Sequence, residues 1–230
     1  MARKGAFTIV AKNYIGLASI LRDSVVQRNP DVAFHIFVAD EFENSAEPLD
    51  NHIHIARRVL DYPDEQWTTM AFQYNLTEFC TAIKPACFQY LFSQGYTEVL
   101  FFDPDIYTFA PLTSLFSRLN EAEVILTPHV VETHVRYHGD QPEWTFNCNG
   151  IYNLGFCGLK DSPAVRTFLD WWRVRMDDNA FTDRSVGNFT DQKWMDWVPA
   201  LFADQLCVVR DLGVNVDRKS TRLNSSLRSA

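Results

Sequence analysis

Apolar positions along the chain follow two alternating periods. Phe7 to Ala11 is a short apolar run of β-formers, and from Tyr14 to Arg28 the period becomes helical. Ile15, Ala18, Ile20, Leu21, Val25 and Val26 then fall broadly on one side. Asn29-Pro30-Asp31 stops that helix, and Val32 to Ala39 predicts a second strand ending at Asp40-Glu41. This β–α–β opening sets Lys12-Asn13-Tyr14 and Asp40-Glu41 just past strand ends, where open α/β sheets bind ligands. No Gly-x-Gly-x-x-Gly or Walker loop follows the first strand, which disfavours a conventional dinucleotide or P-loop site.

Residues 42–65 read as loop with a short strand near Ile53-Ile55. A long helical stretch from about Leu76 to Gln94 is interrupted or restarted at Pro85. Phe79, Ile83, Ala86 and Tyr90 make its buried stripe, Lys84 lies well off that stripe, and Gly95 ends it. Val99-Leu100-Phe101-Phe102 is a fully apolar strand running straight into Asp103-Pro104-Asp105. Further strands are expected over Val124 to Thr127, Ile151 to Leu159 and Gln205 to Val209. Helices are expected over Pro163 to Met176 and, more briefly, Trp194 to Phe202. Strands alternating with helices predict an α/β domain.

Composition narrows the function classes. A chain of 230 residues accommodates one large domain or two small ones. Its 29 acidic residues outnumber 21 Lys and Arg, a net charge of −8 with no basic stripe, which argues against a nucleic-acid binder. No apolar stretch approaches the roughly 18–20 residues of a membrane span. The N-terminal apolar run imitates a signal peptide but stops at Lys12-Asn13, without a small-residue cleavage site. Cys80, Cys87, Cys148, Cys157 and Cys207 are odd in number and lack CxxC spacing, and the first two are expected to share a core-facing side. Sequons at Asn75, Asn188 and Asn224 carry little meaning without a secretory signal. The expectation is a reduced, cytoplasmic protein. Residues 217–230 are Ser-rich, hold four Lys and Arg against one acid, and have no apolar period, so they read as a solvated or non-native tail.

The strongest chemical signal is Asp103-Pro104-Asp105. In an extended segment, side chains at i and i+2 point to the same side. Two carboxylates there can share a hard cation such as Mg²⁺ or Mn²⁺, and Pro104 stiffens the spacing. The competing reading is a turn that merely follows a buried strand.

The neighbours of this motif decide what it resembles. Phe7-Thr-Ile-Val-Ala-Lys-Asn-Tyr14, Thr81-Ala-Ile-Lys-Pro85, Val99-Leu-Phe-Phe-Asp-Pro-Asp-Ile106, Leu126-Thr-Pro-His129, Tyr152-Asn-Leu-Gly-Phe156 and Asp191-Gln-Lys-Trp-Met-Asp196 occur in this order. Together, over about residues 6–216, they resemble a family of bacterial GT-A glycosyltransferases with a DxD metal motif. The resemblance implies one Rossmann-like domain over residues 1–216, with a central mixed, mostly parallel sheet flanked by helices. It implies transfer of a sugar from a nucleotide-diphosphate donor, UDP-linked by family default, to a hydroxyl of an unspecified glycan or other acceptor, with Mn²⁺ or Mg²⁺ as cofactor.

Residue by residue, the resemblance implies that Ala11, Asn13 and Tyr14 line the nucleobase and ribose pocket. Lys84 lies near the donor diphosphate or its acidic neighbours, and Asp103 and Asp105 bind metal and donor. Asn153 and Gly155 border the reacting sugar, with Asp191 and Gln192 on its far side as catalytic candidates. Each has a structural competitor: Asn13 as a helix cap, Lys84 as a solvated residue, Asn153 and Gly155 as strand geometry, Asp191 as a cap. His129 reads as pocket lining, while His129 and His134 do not form a metal motif by spacing. Trp171-Trp172 is expected to pack a helix, and Trp194 and Trp197 suit either the core or a sugar-stacking rim.

The chain departs from the family after Asn215-Val216. There the family continues with an aromatic stretch ending in a His near the diphosphate, and this chain has Asp217-Arg-Lys-Ser-Thr. The departure implies a domain incomplete at its C-terminus, and it puts the activity of this chain in question. Motif order is closer to the retaining branch, without fixing stereochemistry. Two other readings stay open: a non-catalytic module that binds a nucleotide-sugar or glycan, and a haloacid-dehalogenase-type phosphatase with Asp103 as nucleophile and Asp105 as acid/base.

Overall fold

The computed structural model describes residues 2–40, 50–132, 135–136 and 141–215. The first strand β1 (Lys4–Val10) passes through a 3-10 turn (Lys12–Tyr14) into α1 (Ile15–Val26) and returns as β2 (Val32–Val38). Then come β3 (Ile53–Ile55), the one-turn α2 (Ala56–Val59), α3 (Asp64–Gln73), α4 (Leu76–Ala82) and α5 (Lys84–Ser93). Next are β4 (Glu98–Phe102), α6 (Thr113–Glu121), β5 (Val124–Pro128), α7 (Trp144–Asn149), β6 (Tyr152–Lys160) and α8 (Pro163–Asn179). A two-residue hairpin, β7 (Thr182–Asp183) and β8 (Asn188–Phe189), leads to a 3-10 turn (Lys193–Trp197), α9 (Val198–Phe202) and β9 (Leu206–Val208).

The seven-stranded sheet has the order β3-β2-β1-β4-β6-β5-β9. Each pairing is parallel except those of β6, which runs antiparallel to both β4 and β5. The expected mixed, mostly parallel α/β sheet is therefore present. The chain leaves β1 towards β2 on one side and later returns to β1's other side as β4. This makes the β1–β4 boundary a topological switch point. Pairing across it ends at Phe7↔Phe101, while β1 continues to Val10, so the strand ends part there and leave a crevice.

Two apolar layers fill the faces of the sheet. On one face, Phe7 is wholly buried and meets Phe37, Phe88 and Phe101 edge-on at centroid distances of 5.6, 4.8 and 5.2 Å. That contact locks β1, β2 and β4 to α5, and Trp172 of α8 extends the same layer. On the other face, Leu21 and Val25 of α1 and Leu115, Phe116 and Leu119 of α6 cover Ile36, Leu100 and Phe156.

Several local expectations are corrected. Within 42–65 the expected short strand is β3, α2 and the start of α3 stand where loop was expected, and residues 42–49 lie outside the described residues. The helix over 113–121 was not anticipated, although Leu112, Leu115, Phe116 and Leu119 have helical spacing and are buried. The helix near Pro85 does restart: Ile83 ends α4 and precedes α5, with Pro85 in its first turn, and Gly95 follows α5 at φ +83°. Cys87 is buried and Cys80 half-buried, on successive helices, and all five cysteines are free thiols. No helix among the described residues is long and apolar enough to cross a membrane. The segment 217–230 lies outside the described residues.

At the far edge of the sheet a polar chain is partly buried. Arg3 Nη2 donates to Tyr96 Oη at 3.3 Å, Tyr96 Oη lies 2.9 Å from His35 Nε2, and His35 Nδ1 lies 2.9 Å from His54 Nε2. Burial, with His54, Arg3 and His52 nearby, pushes His35 down to about 4. The unfolded chain takes up this proton near pH 6.5 and the folded chain does not, so stability is complete above pH 6.5 and falls as pH drops towards 4. Urea unfolding at pH 7.5 and pH 4.5 should show an acid loss about 2 kcal/mol smaller in His35→Gln than in the unaltered chain. Equal acid losses would mean that His35 does not carry the linkage.

Candidate functional site

The expected site residues gather at the edge where β1, β2 and β4 end and β6 begins. After β1, Ala11 is buried, and its carbonyl accepts from Tyr14 N–H at 2.9 Å, which tightens the following turn. Lys12 N–H donates to Asp40 Oδ1 at 2.7 Å, so the segment after β2 is pinned to the segment after β1. Asn13 and Tyr14 project outward, and Tyr14 is 51% exposed. Asn13 is not a helix cap, because the residues preceding the 3-10 turn and α1 are Ala11 and Tyr14, without side-chain capping bonds.

Asp103 and Asp105 leave β4 in a turn closed by Ile106 N–H donating to Asp103 O at 3.1 Å. The extended geometry assumed from sequence is thus replaced by a turn, and the two carboxylates sit in different surroundings. Asp105 is exposed, whereas Asp103 is pressed into the protein. Burial, partly offset by Lys84 and reinforced by Asp191 and Asp105, pushes the Asp103 carboxyl up to about 6. Cys80 of α4 lies in the electrostatic reach of Asp40, Lys84 and Asp103, and burial pushes its thiol up to about 12, so it is not a thiolate nucleophile.

Lys84 stands beside acidic side chains and is not the solvated residue of the competing reading. It does not lie off the apolar face in solvent; it is 2% exposed, and it forms an ion pair with Asp191, itself 2% exposed. Lys84 Nζ also donates to Leu154 O at 3.2 Å and rests 3.9 Å from the centre of the Phe101 ring. Burial alone would depress the ammonium, but the carboxylates of Asp191 and Asp103 outweigh it and hold its pKa above the ordinary lysine value. Asp191 correspondingly is not a cap for the turn that follows. Thr190 precedes it at φ +45°, a strained conformation for a β-branched residue, and donates from Oγ1 to Asp191 Oδ1 at 3.2 Å.

The start of β6 is bulged. Its register against β5 shifts between Leu126↔Cys157 and Pro128↔Tyr152, which leaves residues 153–156 unpaired with β5. The bulge turns Leu154 O towards Lys84 and lets Asn153 Oδ1 accept from Gly155 N–H at 3.0 Å. Gln192 stitches the bulge to α7: its Oε1 accepts from Leu154 N–H at 3.4 Å and its Nε2 donates to Asn149 O at 3.0 Å. A Cβ at Gly155 would stand 3.1 Å from Asp103 Oδ2, 3.2 Å from Asn153 Oδ1 and 3.0 Å from Asn215 Oδ1. A side chain there would press on three oxygen atoms that close over the position.

Asn215 was not anticipated as a site residue. It sits at φ +54°, in the left-handed region that Asn tolerates, just after the turn held by Gly213 N–H donating to Asp211 Oδ1 at 2.8 Å. That turn signal at Asp211 to Gly213 was legible; the direction of Asn215 was not.

Beside the same edge, a cavity of about 430 Å³ opens between the ends of β5 and β9, with His129, Phe146, Tyr152 and Arg210 in its wall. His129 lines this pocket as expected, its ring stacked on Phe146 at 5.3 Å. His134 lies outside the described residues. Trp172 packs α8 into the core, while Trp171, Trp194 and Trp197 form an adjoining cluster with Trp197 56% exposed.

Replacing Lys84 by Met leaves Asp191 buried without its cation. The expected cost in urea unfolding is about 3–5 kcal/mol, largely recovered in the double variant with Asp191→Asn. A double variant no more stable than Lys84→Met alone would show that the two side chains do not act as a pair.

No family model matches the chain. It is 25% identical over 142 residues to the uncharacterized protein YfnF of Bacillus subtilis, a match covering 61% of this chain and 46% of that protein. The chain therefore spans about half the length of the curated relative it matches. Among solved structures it is similar to the galactosyltransferase LgtC in complex with donor and acceptor sugar analogs, with a TM-score of 0.51 and 17% identity, over 89% of this chain and 73% of that one. It is also similar to the glycosyltransferase GlyE of Streptococcus pneumoniae, with a TM-score of 0.53 and 12% identity, over 99% of this chain and 50% of that one. With its seven-stranded mixed sheet flanked by helices, the chain has the fold of the GT-A glycosyltransferases.

Proposed function

We propose that this chain, over residues 1–216, is a glycosyltransferase domain that moves a sugar from a nucleotide-diphosphate donor to an acceptor hydroxyl, with a divalent cation and with retention at the anomeric carbon. One observation carries the reading. In a GT-A sheet, Asp103 and the bulged start of β6 meet at the switch-point crevice beside Ala11, over a buried Lys84–Asp191 pair. The topology supports this reading over the phosphatase, which places its aspartate after the first strand of its domain, whereas Asp103 follows the fourth.

The donor set suits Mn²⁺ or Mg²⁺. Among the described residues no three His, Cys, Asp or Glu side chains group to hold a metal. The oxygens that gather at Gly155 are hard donors from Asp103, Asn153 and Asn215, and Asp105 stands next in the turn. In this reading Asp103 and Asp105 hold the cation, which when bound neutralises the departing diphosphate. Ala11, Asn13 and Tyr14 border the nucleoside, a uridine in the simplest case. Asn153 and Gly155 border the sugar, and the missing side chain at Gly155 leaves room for the oxygens that gather over it.

The two catalytic candidates divide their work by exposure. Asp191 is sealed beneath the surface against Lys84, which makes it a positioning residue for the bulge and the following turn. Gln192 is half-buried and fixed at both ends of its amide, so it is the member of the pair that borders the reacting sugar.

Calorimetric titration with UDP should show binding that depends on Mn²⁺ and is lost in Asp103→Asn and Asp105→Asn, with the fold retained by circular dichroism. Undiminished binding in both variants would refute their role. Once a donor sugar is identified, the anomeric proton of the first-formed product should show the donor's configuration by NMR, and an inverted product would overturn the retaining assignment.

A further inference from the structure

The side chain of Asn215 has a determined orientation. Thr127 Oγ1 donates to Asn153 O at 3.2 Å and therefore accepts from Asn215 Nδ2 at 2.9 Å, while Nδ2 also donates to Asn153 O at 3.0 Å. Both partners are acceptors in these bonds, so the amide nitrogen must face them and Oδ1 must face away. Oδ1 then lies 3.0 Å from the position a Cβ would take at Gly155, which Asp103 Oδ2 and Asn153 Oδ1 approach to 3.1 and 3.2 Å. Asn153 Oδ1 has the Gly155 N–H as a donor. Asn215 Oδ1 and the Asp103 carboxylate share the cradle over Gly155, where hard oxygens gathered from three elements suit a cation.

We propose that Asn215 is a further oxygen donor of the cation site, delivered by the chain beyond β9 and held by Thr127 and the bulged strand. The inference rests on the donor-site reading above and extends it to a residue outside the Asp103/Asp105 pair. The left-handed turn at 215 is what aims the amide inward, and β5 and β6 supply the two acceptors that stop it rotating. A ligand role and a packing role make different demands. Ligation needs the oxygen, whereas packing needs the two N–H bonds that the amide nitrogen makes.

Mn²⁺ capture can be read directly by loss of the free-ion electron paramagnetic resonance signal, with and without UDP, on the whole chain. Asn215→Ala should weaken Mn²⁺ binding roughly tenfold or more. Asn215→Asp keeps an oxygen and loses both N–H bonds, and it should bind Mn²⁺ within about threefold of the unaltered chain or more tightly. Melting temperatures recorded on the same samples report any loss of fold; if Asn215→Ala unfolds, the Asp variant alone decides. Binding unchanged in Asn215→Ala, or as weak in Asn215→Asp as in Asn215→Ala, overturns the assignment while Asp103→Asn still tests the donor site separately. Absence of Mn²⁺ capture by the unaltered chain, with UDP present or not, overturns both readings.

Discussion

The buried ion pair between Lys84 and Asp191 is the constraint around which the rest of the edge is arranged. A lone ammonium in an apolar layer is costly, and so is a lone carboxylate, so each fixes where the other's chain segment can run. Lys84 belongs to the first turn of α5, whose following residues Cys87, Phe88 and Leu91 are core. Asp191 belongs to a segment that reaches the sheet only after α8 and the β7–β8 hairpin. The pair therefore ties two distant stretches of sequence to one point beneath β4 and β6. The Phe101 ring and the Leu154 carbonyl complete the cation's surroundings, so the register of the bulge depends on it as well.

Topology supplies the space above that pair. Six strands share one direction, and their C-terminal ends open the crevice expected of a switch point. The reversed β6 contributes its beginning rather than its end. Because β6 is unpaired with β5 over residues 153–156, the Asn153 carbonyl is free to accept from Thr127 and Asn215. The pressure on residue 155 is then one of space and not of backbone angle.

The sequence made the order of strands and helices along the chain readable, because short apolar runs rich in β-formers, such as Val99 to Phe102 and Val32 to Ala39, are set off by turn residues and by helical periods. Asp103, Asn153 and Gly155 were legible by motif, and the fold similarity agrees with the sheet they implied. The acidic neighbours of Lys84 are what the resemblance implies, but its burial is not legible locally, for a physical reason. A helical wheel assigns a charged residue to water by default, and the cation's partner comes from more than a hundred residues away, which no local period encodes. The Asp-Pro-Asp turn was misread because spacing i, i+2 was taken with extended angles. The helix over 113–121 carried a clear signal in Leu112, Leu115, Phe116 and Leu119 that went unused. Asn215 had no such signal, since its role follows from Thr127 and Asn153 holding it.

The reversal of β6 also governs how this architecture can be altered. Since β5 finishes and β6 starts on the same edge of the sheet, the connection between them leaves from that edge and returns to it. Within it, α7 is tied to the turn after β8 through Asn147 and Asn149, so the two parts of the connection are not equally replaceable. Grafts outside α7 leave that tie and the ion pair beneath the strands in place, whereas a graft that replaces α7 frees the Gln192 amide from the helix.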